Sequence, residues 1–98
     1  VIKKRDEASE TLIALRRAMG MTQAQFAVVV LETAVTTVAR YETSHPPQHE
    51  LLLRLANIAR QHGHDDLYGR FNFLYLKGAI QRLKYYKDQL SEEDHHAE

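Results

Sequence analysis

The chain has 98 residues, enough for one small domain with a single hydrophobic core. It contains no Cys, which excludes a disulfide framework and a thiolate metal site and suits a reducing cytoplasm. Lys and Arg balance Asp and Glu, so no overall charge marks a nucleic-acid binder; the balance shifts along the chain, however, with eight basic against six acidic residues up to Gly63 and five against seven from His64 on.

In chain order the pattern is helical throughout, since no run alternates with period two. A first helix is expected from Glu7 to Met19, with Leu12, Leu15 and Met19 on one face and Gly20 in the position of a C-terminal glycine cap. Thr22 followed by Gln25 forms a capping box, which starts a second helix at Gln23 and carries it through Phe26, Ala27 and Val30. A break is expected near Leu31 to Thr33. Thr33 then caps a third helix from Ala34 to Glu42, with Val38 and Tyr41 facing inward, although Val35-Thr36-Thr37-Val38 is poor helix material by propensity. The prolines at 46 and 47 close a loop. A fourth helix from Gln48 to Gln61 places Leu52, Leu55, Ala56 and Ala59 on one face.

From His64 on, the expectation is a short loop, one long helix and an acidic tail from Ser91. Phe73, Leu76, Ile80, Leu83, Lys87 and Leu90 step by three and four, a heptad seam with one polar interruption. Phe71 and Leu74 form a second stripe, expected to pack on the domain's own core against Val28 and Val29. The seam is read as a homodimer surface, with Gly78 allowing close approach and Tyr85 and Tyr86 covering its edge; a stripe folding back on its own domain is the alternative. The chain thus divides into residues 1–63 and a C-terminal element, 64–98.

The ordered set Leu15-Arg16, Gly20-Met21-Thr22-Gln23, Phe26-Ala27, Val38, Tyr41-Glu42 and a loop ending in Pro resembles the lambda-repressor and Cro type (XRE-like) of helix-turn-helix. The resemblance covers Leu12 to Ala59, about half the chain. It implies an all-α fold of five helices with an extended C-terminal helix, and a cytoplasmic, sequence-specific transcriptional regulator. The partner implied is double-stranded DNA, an inverted-repeat operator read by a homodimer. The helix around 34–42 would enter the major groove with its N-terminal end leading.

Residue by residue, the resemblance makes Gln23 a phosphate contact at a helix N-terminus. It makes Val35, Thr36 and Arg40 base-facing, with Thr37 and Ala39 beside them. An Arg fork pairs with guanine O6 and N7 or clamps a phosphate, and a Thr methyl suits thymine. Thr43, Ser44 and His45 fall on the loop that touches the phosphate backbone. Arg17 and the arm Lys3-Lys4-Arg5 would add non-specific attraction. Arg16 and Glu42 match the family's buried ion pair.

The chain departs from the family's pattern in one place. Val30-Leu31-Glu32-Thr33 spans the turn with no Gly, and Ala27 to Glu42 is one residue longer than usual. Either the second helix gains a residue or the turn is looser, and the base-facing position moves accordingly.

Other readings are weaker. His62-x-His64 and His95-His96 lack the companions of a metal site, so neither metal nor cofactor is expected. No nucleophile–base grouping or glycine-rich phosphate loop appears, and Asp65-Asp66 suits a helix cap, so no enzyme is expected. No apolar run is long enough for a membrane helix. Two rivals remain. One is a protein-interaction module on the same scaffold, favoured by zero net charge and the longer turn; the other is the DNA-reading part of a larger protein, kept open by Val1 in place of Met.

Overall fold

The computed structural model describes residues 5–96, with side chains described as far as residue 91. Five α-helices follow one another: α1 (Glu7–Ala18), α2 (Gln23–Gln25), α3 (Val35–Glu42), α4 (Glu50–Gln61) and α5 (Asp65–His96). A π-helical segment, Phe26–Leu31, continues α2 without a break. Among the described residues there is no strand.

Local signals explain where α1 and α2 begin and end. The Asp6 side chain accepts a hydrogen bond from the Ala8 N–H, and Glu7 and Glu10 complement the positive end of α1. Gly20, at φ +68°, turns the chain out of the helix, and the Met21 N–H reaches back to the Arg16 carbonyl. Thr22 and Gln25 exchange side-chain and backbone hydrogen bonds, the reciprocal capping box expected of their spacing.

The second helix widens into a π-helical turn, and the turn that follows it is tight. The Glu32 and Thr33 N–H groups both donate to the Ala27 carbonyl. Glu32 itself sits at φ 52°, ψ 48°, the left-handed conformation that glycine adopts at lowest cost. The Val30 and Leu31 carbonyls left over at this helix end are met by Arg54 Nη2 from α4, at 3.4 and 3.3 Å.

Two boundary expectations are corrected. Ala34, and not Thr33, is the N-cap of α3; the Thr33 N–H is spent closing the preceding turn, and α3 has no side-chain cap. The fourth helix starts at Glu50, two residues late, because His49 precedes it at φ 55°, ψ −132°, outside helical space. The C-terminal helix, by contrast, is continuous through Ser91 to His96, beyond the expected start of the tail.

One core joins all of these elements. Leu12 and Leu15 of α1, Phe26 and Ala27 of the π segment, Val38 of α3, Leu55 and Ala59 of α4 and Phe71 of α5 are fully enclosed. Ala27 offers no bulk where helices meet, and Phe26 and Val38 fill the space beside it. Because Leu67 and Phe71 belong to this core, the start of α5 is part of the same domain as α1 to α4. The rest of α5 extends away, which gives the molecule a 59 Å long axis against 33 and 27 Å.

Val28 and Val29 overturn an expectation. They do not pack on α5; they are 69% and 66% exposed. The π turn keeps Phe26, Ala27 and Leu31 inward, and the two valines between them fall on the outer side. Gly78 is likewise misplaced by the sequence reading. It lies on the domain side of α5, lining a groove of about 460 Å³ with Leu52, Pro47, His49 and Arg82, and not on the outer apolar seam. No helix among the described residues is long and apolar enough to cross a membrane.

Candidate nucleic-acid interface

The α2–α3 unit is held to α1 by a charged cluster. Arg16 Nε donates to Glu42 Oε2 at 2.7 Å, and Nη2 donates to Oε1 at 3.1 Å. The third guanidinium nitrogen, Nη1, donates to the Met21 carbonyl at 3.0 Å. Gln23 Nε2 completes the cluster by donating to Glu42 Oε1 at 3.0 Å. The Glu42 side chain is 5% exposed and that of Arg16 15%. Burial opposes ionisation of Glu42, but the hydrogen bonds from Arg16 and Gln23, together with the Arg16 and Arg5 charges, outweigh it and hold the carboxyl below its ordinary value of 4.5.

A second tie fixes the same end of α3. The buried Ser9 hydroxyl donates to the Tyr41 carbonyl at 2.6 Å, satisfying an acceptor in the last turn. With Val38 and Glu42 buried, one side of α3 is anchored, and the opposite side is left to solvent.

That open side carries Thr36 and Arg40, both exposed, with Thr37 and Ala39 half-buried at its margin; Val35, three residues before Val38 and seven before Glu42, shares their helical face and is exposed at the start of the helix. No side-chain hydrogen bond engages Arg40 or Arg17 among the described residues. An uncommitted guanidinium at this position is chemically able to meet a phosphate or a base edge.

Other expected contacts are placed differently from one another. The Gln23 amide nitrogen is turned inward onto Glu42, so this side chain first serves the domain's own cluster. Thr43, Ser44 and His45 are exposed, but their three N–H groups all converge on the Arg40 carbonyl, at 3.1, 3.0 and 2.9 Å. Thr43 also returns its hydroxyl hydrogen to the Ala39 carbonyl, and Ser44 Oγ pairs with His45 Nδ1 at 2.8 Å. On these three residues the donor left for an anion is the one outside the Ser44–His45 pair, His45 Nε2–H when Ser44 donates or the Ser44 hydroxyl when Nδ1 does. Lys3 and Lys4 of the basic arm lie outside the described residues, and Arg5 is exposed.

Sequence reasoning missed Arg54. Its role at the end of the π segment depends on α4 crossing near Leu31, and nothing in the local sequence signals that. Among the described residues no group of three His, Cys, Asp or Glu side chains comes together as a metal site. Comparison with protein-family models, with curated proteins and with solved structures found no match for this chain.

Proposed function

We propose that this chain is a sequence-specific DNA-binding regulator of the lambda-repressor-like helix-turn-helix type, reading the major groove with α3. The observation that carries the reading is the two-sidedness of α3. Val38 and Glu42 lock one side to α1, while Thr36 and Arg40 stand exposed on the other and Val35 is exposed at the leading end of the helix. A reading element needs this combination: a rigid seat, so that side chains present a fixed pattern, and a free face of mixed apolar, hydroxyl and guanidinium character. Arg17, Ser44 and His45 supply backbone contacts around it, which position the domain without carrying sequence information.

Random-site selection on double-stranded DNA, followed by retardation assays at several salt concentrations, tests the proposal. The expected outcome is an enriched inverted repeat, with affinity falling as salt rises. Recovery of unenriched sequence would remove the reading.

A second reading draws on one observation. Val28, Val29 and Val35 are exposed on neighbouring elements, and the chain has no excess of positive charge. An apolar, uncharged surface suits a protein partner better than phosphate. Under this reading, substituting Val28 and Val29 abolishes a protein interaction and leaves DNA retention at the non-specific level.

A further inference from the structure

Two opposite sides of α5 are apolar, and the domain covers only one of them. Leu67 and Phe71 are buried, and Leu74 and Tyr75 pack partly against the same core. At about 100° per residue, the seam Phe73, Leu76, Ile80, Leu83, Lys87 and Leu90 centres roughly 150° around the helix from Phe71. Its five apolar members are 57–69% exposed. No rotation of α5 hides both sides against α1 and α4, because burying the seam would expose Phe71 and Leu67.

The residue types on the seam select the occupant. In heptad terms Phe73, Ile80 and Lys87 hold the a positions, and Leu76, Leu83 and Leu90 hold every d position. In a parallel arrangement, Leu at d with a β-branched residue at a central a position favours two strands, and a single polar a residue further restricts register and strand number. The flanks agree. The e positions Arg70, Lys77 and Lys84 are all basic and exposed, and the g positions Asn72, Ala79 and Tyr86 are uncharged. In a parallel pair each e residue meets a g residue of the other helix, so Lys77 faces Asn72 and Lys84 faces Ala79. An antiparallel pair with the same overlap sets Lys77 against Lys84 of the second copy twice over, and sets Lys87 against Leu76. The two Lys77–Lys84 contacts disfavour that arrangement, whereas the parallel pair has a single like-charge layer, Lys87 against Lys87, near the end of the seam where long side chains can carry their ammonium groups out to water.

We infer that the outer face of α5 is the seam of a parallel, in-register, two-stranded coiled coil with a second copy of this chain. The seam from Phe73 to Leu90 is about 26 Å long, roughly two and a half heptads, so the association is governed by chain concentration. It deepens the proposed function, since a two-fold along the coil relates the two α3 helices and calls for an inverted repeat. It stands on α5 alone, and its tests are made without DNA, so loss of the DNA reading leaves them unaffected.

The chain has no Cys, so single cysteines report the geometry directly. Sedimentation of the full chain between about 1 and 200 µM is expected to approach the two-chain mass. Leu83→Asp should give the one-chain mass with the helical signal of the folded domain retained, because Leu83 is 69% exposed and outside the buried core. Lys87→Ile should lower the dissociation constant by roughly tenfold or more, the direction expected on removing a polar a residue. Under mild oxidation Leu90→Cys should form a disulfide with its own copy. A mixture of Leu90→Cys and Phe73→Cys chains should give the two self-linked products and little mixed product. One-chain mass at every concentration, for both the parent and Lys87→Ile, would overturn the proposal. So would a mass above two chains, or a mixed disulfide dominating over the self-linked ones.

Discussion

Arg16 and Glu42, 26 positions apart in the chain, meet side by side: Nε to Oε2 at 2.7 Å and Nη2 to Oε1 at 3.1 Å. The pair is shielded from water and joins the last helical turn of α1 to the end of α3. Every side chain on the open face of α3 is presented from this seat.

Removing one partner should therefore cost more than removing both. Arg16→Met leaves a shielded carboxylate with only Gln23 as donor, and about 3–5 kcal/mol of stability should be lost. The double variant Arg16→Met, Glu42→Met should regain part of it, since two apolar side chains leave no stranded charge. Denaturant unfolding of the four proteins in the cycle checks this. A single variant as stable as the parent would show that the cluster is not a structural anchor.

The same pair sets an acid limit. The Glu42 carboxyl titrates below its ordinary value of 4.5 in the folded chain, so its contribution is present above that value and is lost as pH falls through the folded value. Stability should decline below pH 4.5 more steeply in the parent than in Glu42→Gln, which has no proton to take up there. Thermal melts at closely spaced pH values between the two regimes measure the difference, and parallel profiles would contradict it.

Glu32 is the residue the tight turn tolerates at a cost. It holds a left-handed conformation with an ordinary side chain. Glu32→Gly should raise stability by about 0.5–1 kcal/mol, the left-handed penalty less the extra entropy glycine loses on folding. In a chain of this size that is a rise of a few degrees in Tm, on the order of 4–8 °C per kcal/mol.

Deleting Val29 should convert the π turn into an ordinary α-helical one. Phe26, Ala27 and the residue that is now Leu31 would then fall at i, i+1 and i+4, one helical face, and only an exposed side chain is removed. The shortened chain should retain a cooperative melt. Loss of cooperativity would show that α3 requires the π turn in order to reach its seat.

Arg40→Ala tests the open face. The fold should be unaffected, because the side chain is exposed and makes no contact with the core. Specific DNA affinity should fall by about 1–3 kcal/mol, with relaxed preference at one base pair. Gln23→Ala has a mixed signature instead: its amide donates to Glu42, so Tm should drop along with affinity. Circular dichroism melts beside retardation assays separate the two effects.

Much of this architecture is written in short-range pattern. Gly20 and the Thr22–Gln25 box act within a few residues of backbone, and the helices they bound were legible from those residues alone. The faces of α4 and of the outer side of α5 follow from apolar spacing at 3.6 or 3.5 residues. The Arg16–Glu42 contact was different in kind; it came from likeness to a known pattern, since no spacing rule connects residues that far apart.

What tertiary structure alone decided is where side chains find partners across elements. Whether this stretch forms an ordinary α-helical turn or a widened one is not chosen by local propensity. Here Phe26, Ala27 and Leu31 must all reach the core, so the ladder widens and Val28 and Val29 are displaced to solvent. Thr33 had the chemistry of a cap, but its position in the tightened turn passes that role to Ala34. Gln23 faced two acceptors in principle, an external anion or Glu42, and the approach of α3 to α2 supplies the second. Arg54 reaches the Val30 and Leu31 carbonyls because α4 crosses there. Sequence determines which groups need a partner, through the fixed hydrogen-bonding capacity of each side chain and helix end; only the packed core, by setting which elements lie within 3 Å or so of one another, determines which partner each one gets.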